Sequence, residues 1–304
     1  MTERIGKVLV DLTLYNGTDA YSDGDVEEEM LRIAKTARPE DFDRIVNEKK
    51  EWPITYHFSS IRRNVVDWYP VDPSMRVLEI GAGCGAVTPS FTKRAASVDA
   101  IELSKRRSLI NAYRNRDCGN LTIKVGNFED VERSLTGTYD LVTLIGVLEY
   151  AGSFISGEDP YTDMIKTALR RLSEGGRLLI AIENRLGMKY WAGAAEDHTG
   201  EFFAGIEGYP KHGGVRTFSR PELETLLRRA GAKEYTFYYP YPDYKFANMI
   251  FSDRRLPEPG ELKNNVNNLD HYRMILFDES NAYDSLCASG SFPLFSNSFL
   301  IEVK

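Results

Sequence analysis

Residues 77–88 read "VLEIGAGCGAVT", and the fold follows from this stretch. Val77, Leu78 and Ile80 make a short apolar strand, Glu79 sits within it, and Gly81, Gly83 and Gly85 follow at alternate positions. A turn without Cβ atoms lets a ligand come close to the backbone, and the helix expected to start just after it presents free N–H groups.

Outward from this loop, short apolar segments alternate with helical ones. The strands are "RVLEI", "SVDAIE", "LTIKV", "DLVTLI" and "RLLIAIE"; the helices are expected at 86–95, at 104–116 with Ser104 as cap, and at 160–173. Such alternation predicts a Rossmann-like α/β fold, a parallel sheet with helices on both faces. A further helix starts at "SRPE", where Ser219 and Glu222 have the spacing of a capping box. The aromatic strand "KEYTFYYPY" and the C-terminal "SFLIEV" complete the series. Before it, 25–36 and "SSIRRNVVDWY" have helical spacing, so residues 1–70 are expected to be a helical extension ahead of a domain at 71–304. The stretches 184–218 and 241–297 exceed ordinary loops and are expected at the carboxyl ends of strands, where open α/β folds bind ligands, as lids or substrate walls.

Residues 81–86 fit G-x-G-x-x-A, so that hexapeptide by itself suits either a dinucleotide or S-adenosylmethionine (SAM). The neighbours discriminate. A carboxylate at Glu79 can meet the ammonium of an amino-acid ligand but would repel a pyrophosphate. Glu102 ends the second strand, where an acid accepts hydrogen bonds from ribose hydroxyls. "GNFED" and "LIGVLEY" follow the third and fourth strands.

With these residues in place, the region from about 75 to 304 resembles a class I SAM-dependent methyltransferase. The resemblance implies a seven-stranded sheet whose last strand is antiparallel, with SAM as cofactor. The expected cofactor residues are Tyr56, Glu79, Gly81, Ala82, Gly83, Gly85, Glu102, Leu103, Asn127, Phe128, Gly146 and Val147. The stretch "IENRLGMKYWAGAAEDHTGEFFAGIEGY" and "YYPYPDYK" further resemble a bacterial subgroup associated with glycosyltransferases and surface-glycan assembly. That implies a carbohydrate or other small-molecule acceptor, and association with a glycosyltransferase.

The bulk properties agree with a small-molecule enzyme. A net charge of −7 over 304 residues argues against a nucleic-acid partner. There is no D/N-P-P-Y/F after the fourth strand and no Pro-Cys nucleophile pair, which disfavours DNA-base methylation. Apolar runs such as "LLIAI" are too short to span a bilayer, and the N-terminus lacks the features of a secretion signal. Three scattered cysteines suit a reduced compartment, so a cytoplasmic location is expected. Four histidines without ligand spacing give no metal site, although scattered acids leave magnesium open.

Methyl transfer from a sulfonium is an in-line displacement that aligns nucleophile, methyl carbon and sulfur and removes at most one proton. His198 in "EDHTG" is the expected base, with Glu149 and Asp243 as the other catalytic candidates. Tyr150, Glu183, Asn184, Tyr190, Tyr241 and Tyr244 are the expected acceptor contacts. Residues 235–246 hold seven aromatic side chains, most of them expected in the core and the rest free to stack on a sugar face. The leading expectation is methylation of a hydroxyl on a sugar or glycan precursor. O- or N-methylation of another small metabolite is the alternative, and a catalytically silent SAM-binding assembly module is the rival of another class.

Overall fold

The computed structural model describes residues 1–211, 213–265 and 273–304; the remaining positions belong to the two expected insertions. The chain divides into two compact units. Unit 1 comprises Met1–Ile145 and Arg170–Arg177, and unit 2 comprises Gly146–Leu169 and Leu178–Lys304.

Unit 1 contains β1 (Thr2–Ile5), β2 (Val8–Asp11), β3 (Arg76–Ile80), β4 (Ser97–Glu102), β5 (Leu121–Val125) and β6 (Tyr139–Ile145), in the spatial order β1-β2-β5-β4-β3-β6. From β2 to β6 every pairing is parallel. Val77, Leu78, Val142 and Leu144 are fully buried, as a strand covered on both faces requires. The helix Lys105–Arg114 starts at Ser104, whose hydroxyl accepts from Arg107 N, as its sequence position predicted.

The N-terminal extension is not wholly helical. Its first eleven residues form the hairpin β1–β2, and β2 adds to β5 in parallel register. "KVLVDL" buries Val8, Val10 and Leu12 at alternate positions, and Gly6 makes the turn at φ +58°. The helix Val26–Thr36 follows as expected and packs Met30, Ile33 and Ala34 against Phe42, Ile54, Phe58 and Ile110. Each fully buried side chain of the larger apolar types contributes about 1.5–3 kcal/mol.

Unit 2 holds the second half of β7 (Leu172–Glu183), then β8 (Tyr235–Tyr241), β9 (Met249–Ser252) and β10 (Ser298–Val303). β10 runs antiparallel to both β7 and β8, as expected of the last strand. β9, an antiparallel addition to β8, and the β1–β2 hairpin raise the strand number among the described residues to ten, where seven were expected. The helix Arg220–Ala230 has the predicted capping box at Ser219 and Glu222 and ends at Gly231 in the left-handed conformation. Both insertions carry secondary structure: the helical turn Met188–Trp191 in the first, and β9 with the helix Glu279–Ala288 in the second.

Candidate active site

The glycine loop in unit 1 has the shape its sequence implied. Gly81, Gly83 and Gly85 take φ values of +72°, +53° and +76°. Two of them need glycine for different reasons. A Cβ on Gly85 would lie 2.4 Å from Asn111 Oδ1, so its role is close packing of loop on helix. A Cβ on Gly83 would meet nothing within 4 Å, so its bare backbone faces open space where a ligand can lie. Gly81 N and Ala82 N both donate to Ile101 O, which ties the loop to β4.

Glu102 fastens the far side. Its Oε2 accepts from Gly83 N and its Oε1 from Ser104 N, each at 2.8 Å. Burial raises its pKa, opposed by Arg107 and the backbone N–H groups. A carboxylate braced in this way still has lone pairs for ribose hydroxyls. Asn127 caps the helix Phe128–Ser134 by accepting from Glu129 N. Glu79 is buried, and burial lifts its pKa to about 8 against the hydrogen bond from Thr88 Oγ1 to its Oε2. Its Oε1 has no hydrogen-bond partner among the described residues. Tyr56 stacks beneath the Arg62 guanidinium, 4.3 Å from its ring centroid. This set of open glycine, strand-end acid and helix-capping Asn fits a nucleoside ligand.

Unit 2 gathers a second group of residues from separate stretches of sequence. Glu149 follows β6, Glu183 ends β7, Lys189 lies in the first insertion with Asp197 and His198, and Asp243 and Lys245 follow β8. Lys189 Nζ lies 2.7 Å from Asp197 Oδ2 and 2.7 Å from Asp243 Oδ2. Lys245 Nζ lies 3.0 Å from the same Asp197 oxygen and 2.6 Å from Glu183 Oε1. His198 Nε2 is 3.5 Å from Glu183 Oε2, and His198 Nδ1 is 3.2 Å from the Tyr150 hydroxyl. The turn carrying His198 is shaped by Glu196, whose Oε2 accepts from His198 N and Thr199 N while Oε1 accepts from Tyr209 OH.

The electrostatics follow from this packing. Burial and the neighbouring Glu183 push the Glu149 pKa upward. For Glu183 burial acts in the same sense, but Lys245 and His198 outweigh it and hold the carboxyl well below the usual range. Burial lowers the His198 pKa, yet Glu183 and Glu149 lift it to about 9. That upward shift disfavours the neutral imidazole that the expected base would need. Asp243 is raised by burial against the pull of Lys189 and Lys245.

The expected site residues divide accordingly. Glu149, Glu183, His198 and Tyr150 come together, and Asp243 joins them through Lys189 and Asp197. Asn184 is structural: its amide donates to Leu294 O and Ser296 O while its Oδ1 accepts from Leu186 N. Tyr190, Tyr241 and Tyr244 are buried rather than open for stacking. Tyr190 OH donates to Asp197, and Tyr241 OH donates to Asn265 Oδ1. Gly146 stands at φ +69°, and a Cβ there would lie 2.7 Å from Tyr244 OH, so this glycine makes room for the tyrosine. Sequence reading missed Lys189, Lys245, Asp197 and Glu196. Lysines inside the apolar stretches "GMKYW" and "DYKF" were the available signal. It also found no metal-capable group, because Glu149, Glu183 and His198 meet only in the fold, with donor atoms within 4.8 Å of one another. No helix among the described residues is long and apolar enough to cross a membrane.

Comparison with known proteins gives the family. The sequence profile of a methyltransferase domain matches residues 55–235, more than half of the chain. A ubiquinone biosynthesis O-methyltransferase of Xanthomonas oryzae pv. oryzae (strain PXO99A) is 30% identical over 111 residues, which cover 36% of this chain and 44% of that protein. The corresponding protein of Xanthomonas axonopodis pv. citri (strain 306) is 29% identical over 158 residues, 51% of this chain and 62% of that one. The chain thus spans about half the length of these relatives. Among solved structures, a SAM-dependent methyltransferase of Thermotoga maritima, described as a possible histamine N-methyltransferase, has a TM-score of 0.45 and 18% identity, covering 87% of this chain and 98% of that one. By its match to the family's sequence profile and its Rossmann-like fold, the chain belongs to the SAM-dependent methyltransferases, whose cofactor is S-adenosyl-L-methionine.

Proposed function

We propose that this chain transfers the methyl group of SAM to a hydroxyl of a small, polar acceptor, a sugar or sugar-containing precursor. The observation that carries the reading is the buried ionic cluster of unit 2. There Glu149 Oε2 lacks a hydrogen-bond partner among the described residues, and Glu183 Oε2 and His198 Nε2 face only each other across 3.5 Å. A buried polar atom without a good hydrogen bond costs about 1–3 kcal/mol, which the polar groups of a bound ligand would recover. A polyhydroxylated acceptor supplies such groups, whereas an apolar ring leaves them unmet.

In this reading, unit 1 holds the cofactor: the nucleoside on Gly81, Gly83, Glu102 and Asn127, and the amino-acid end towards Glu79. Glu149 receives the proton of the acceptor hydroxyl, and His198, braced by Glu183 and Tyr150, orients the acceptor. Asp243 acts through Lys189 as a charge partner and does not touch the acceptor. The resemblance of 182–209 and 238–245 to glycan-associated enzymes supports the sugar class and an association with a glycosyltransferase. The O-methyltransferase relatives support oxygen as the methylated atom.

The test is transfer of labelled methyl from SAM to a panel of nucleotide sugars, simple glycosides, phenols and amines. Label on the sugars, with formation of S-adenosylhomocysteine (SAH), is expected. Label only on phenols or amines overturns the sugar reading. No turnover with any acceptor, with SAM still bound, favours the assembly-module rival.

A further inference from the structure

The cluster of unit 2 has one feature that ion pairing among its own residues does not explain. His198 Nε2 and Glu183 Oε2 stand 3.5 Å apart, too far for a good hydrogen bond although both side chains are buried. Two donors bound to one ion at roughly 2.1 Å lie about 3.0–3.5 Å from each other, which is the separation seen here. Glu149 supplies a third atom, its Oε2 buried and without a hydrogen-bond partner among the described residues. All three side chains offer donor atoms within 4.8 Å of one another. Closing onto an ion of that size would draw the farthest donor in by roughly 1 Å, within reach of a side-chain torsion.

The lysines nearby do not satisfy this need. Lys245 Nζ sits against Glu183 Oε1 and Asp197, leaving Glu183 Oε2 for another partner. Lys189 is taken by Asp197 and Asp243. Glu149, Glu183, Glu196, Asp197 and Asp243 thus bring five carboxylates, each largely buried, against two lysines and one histidine. Buried carboxylates in excess call for further positive charge.

We propose that Glu149, Glu183 and His198 bind one divalent first-row metal ion through a carboxylate oxygen of each glutamate and His198 Nε2, which gives up its proton to solvent on binding. Two hard oxygens and one imidazole suit Mn²⁺, Fe²⁺ or Zn²⁺ better than a soft-ligand metal. Three protein donors leave coordination positions for a ligand's oxygens, so a metal here takes hydroxyl-bearing ligands and favours their ionised form. This deepens the acceptor reading above and rests on the same cluster, but binding of the metal is measurable without any acceptor.

The experiment is a titration of the full, chelator-treated chain with Mn²⁺, following free ion by electron paramagnetic resonance, with SAH calorimetry on every variant as the check of folding. One Mn²⁺ per chain is expected. Glu149→Gln, Glu183→Gln and His198→Ala should each weaken it by at least tenfold, while Asp284→Asn at a partly exposed acid elsewhere leaves it unchanged. If Glu183→Gln loses SAH binding and therefore its fold, Glu149→Gln decides, because Glu149 lacks the ion pairs that Glu183 makes. Absence of a stoichiometric site in the wild type overturns the proposal, and so does a site that survives Glu149→Gln and His198→Ala in folded protein. Methylation of a sugar by protein without such a site would refute the metal and leave the acceptor reading standing. A metal site in protein inactive on every hydroxyl acceptor would do the reverse.

Discussion

The glycine loop of unit 1 and the ionic cluster of unit 2 are built by opposite means. In the loop, the shape lies in backbone: glycines at positive φ, and a Glu102 carboxylate held by two N–H groups. In the cluster, the arrangement is made by buried side chains that pair through their charges. A backbone cradle tolerates change at its rim and fails at its glycines or its acid. A buried charge network fails wherever one partner is removed, since the other is left uncompensated.

The largest effect separates the two. Glu149→Gln should lower turnover by roughly 10²–10⁴-fold, the range of a lost proton acceptor, with SAM affinity nearly constant. Steady-state kinetics on an identified acceptor, beside calorimetry, checks it; wild-type turnover would remove Glu149 from the chemistry.

The cradle should respond the other way. Glu102→Ala is expected to weaken SAM by about 1.5–3 kcal/mol, because a charged acceptor of hydrogen bonds is lost. A similar but structural effect is expected at the cluster's edge. Gly146→Ala places a Cβ 2.7 Å from Tyr244 OH at φ +69° and should destabilise the fold by about 1–3 kcal/mol in urea unfolding. Adding Tyr244→Phe should recover the steric part and leave the backbone part. No recovery would show that the clash is not the cause.

How much of each region was legible follows from the same contrast. The glycine loop, Glu102 and the Ser104 and Ser219 caps are local patterns, so their spacing along the chain already carried their geometry. The cluster is not local: Glu149, Glu183, His198 and Lys245 become neighbours only when strand ends and insertions meet. His198 was visible as a residue but not its charge, which Glu183 sets. Tyr190 and Tyr244 were expected to contact the acceptor, but aromatic content does not reveal which rings a fold buries, and both sit buried in short helical turns. The β1–β2 hairpin was missed although Val8, Val10 and Leu12 alternate, since four-residue strands give little periodicity to detect.

The smallest effect concerns acid stability in unit 1. His57 is buried, with Nε2 2.9 Å from Asp23 Oδ2, and Arg107 also pairs with Asp23. Burial lowers the His57 pKa despite Asp23. Burial raises the Asp23 pKa, but His57 and Arg107 outweigh it and the net shift is downward. A lowered histidine pKa means the unfolded chain takes up the proton first, so stability falls as pH drops below the unfolded histidine value. The lowered Asp23 pKa adds a contribution that is present above the unfolded aspartate value and lost as pH falls through the folded one. The wild type should therefore lose up to about 1.4 kcal/mol per pH unit from His57 on going from pH 7 to 5. His57→Gln should flatten that slope in urea titrations. An unchanged slope would place the acid sensitivity elsewhere.

The division of labour itself is tested most directly by SAM calorimetry on wild type, Glu102→Ala and Glu149→Gln side by side. The account predicts at least a tenfold loss of affinity for Glu102→Ala and less than a twofold change for Glu149→Gln, at unchanged stoichiometry. The reverse pattern, with SAM lost on changing Glu149 and kept on changing Glu102, would contradict it.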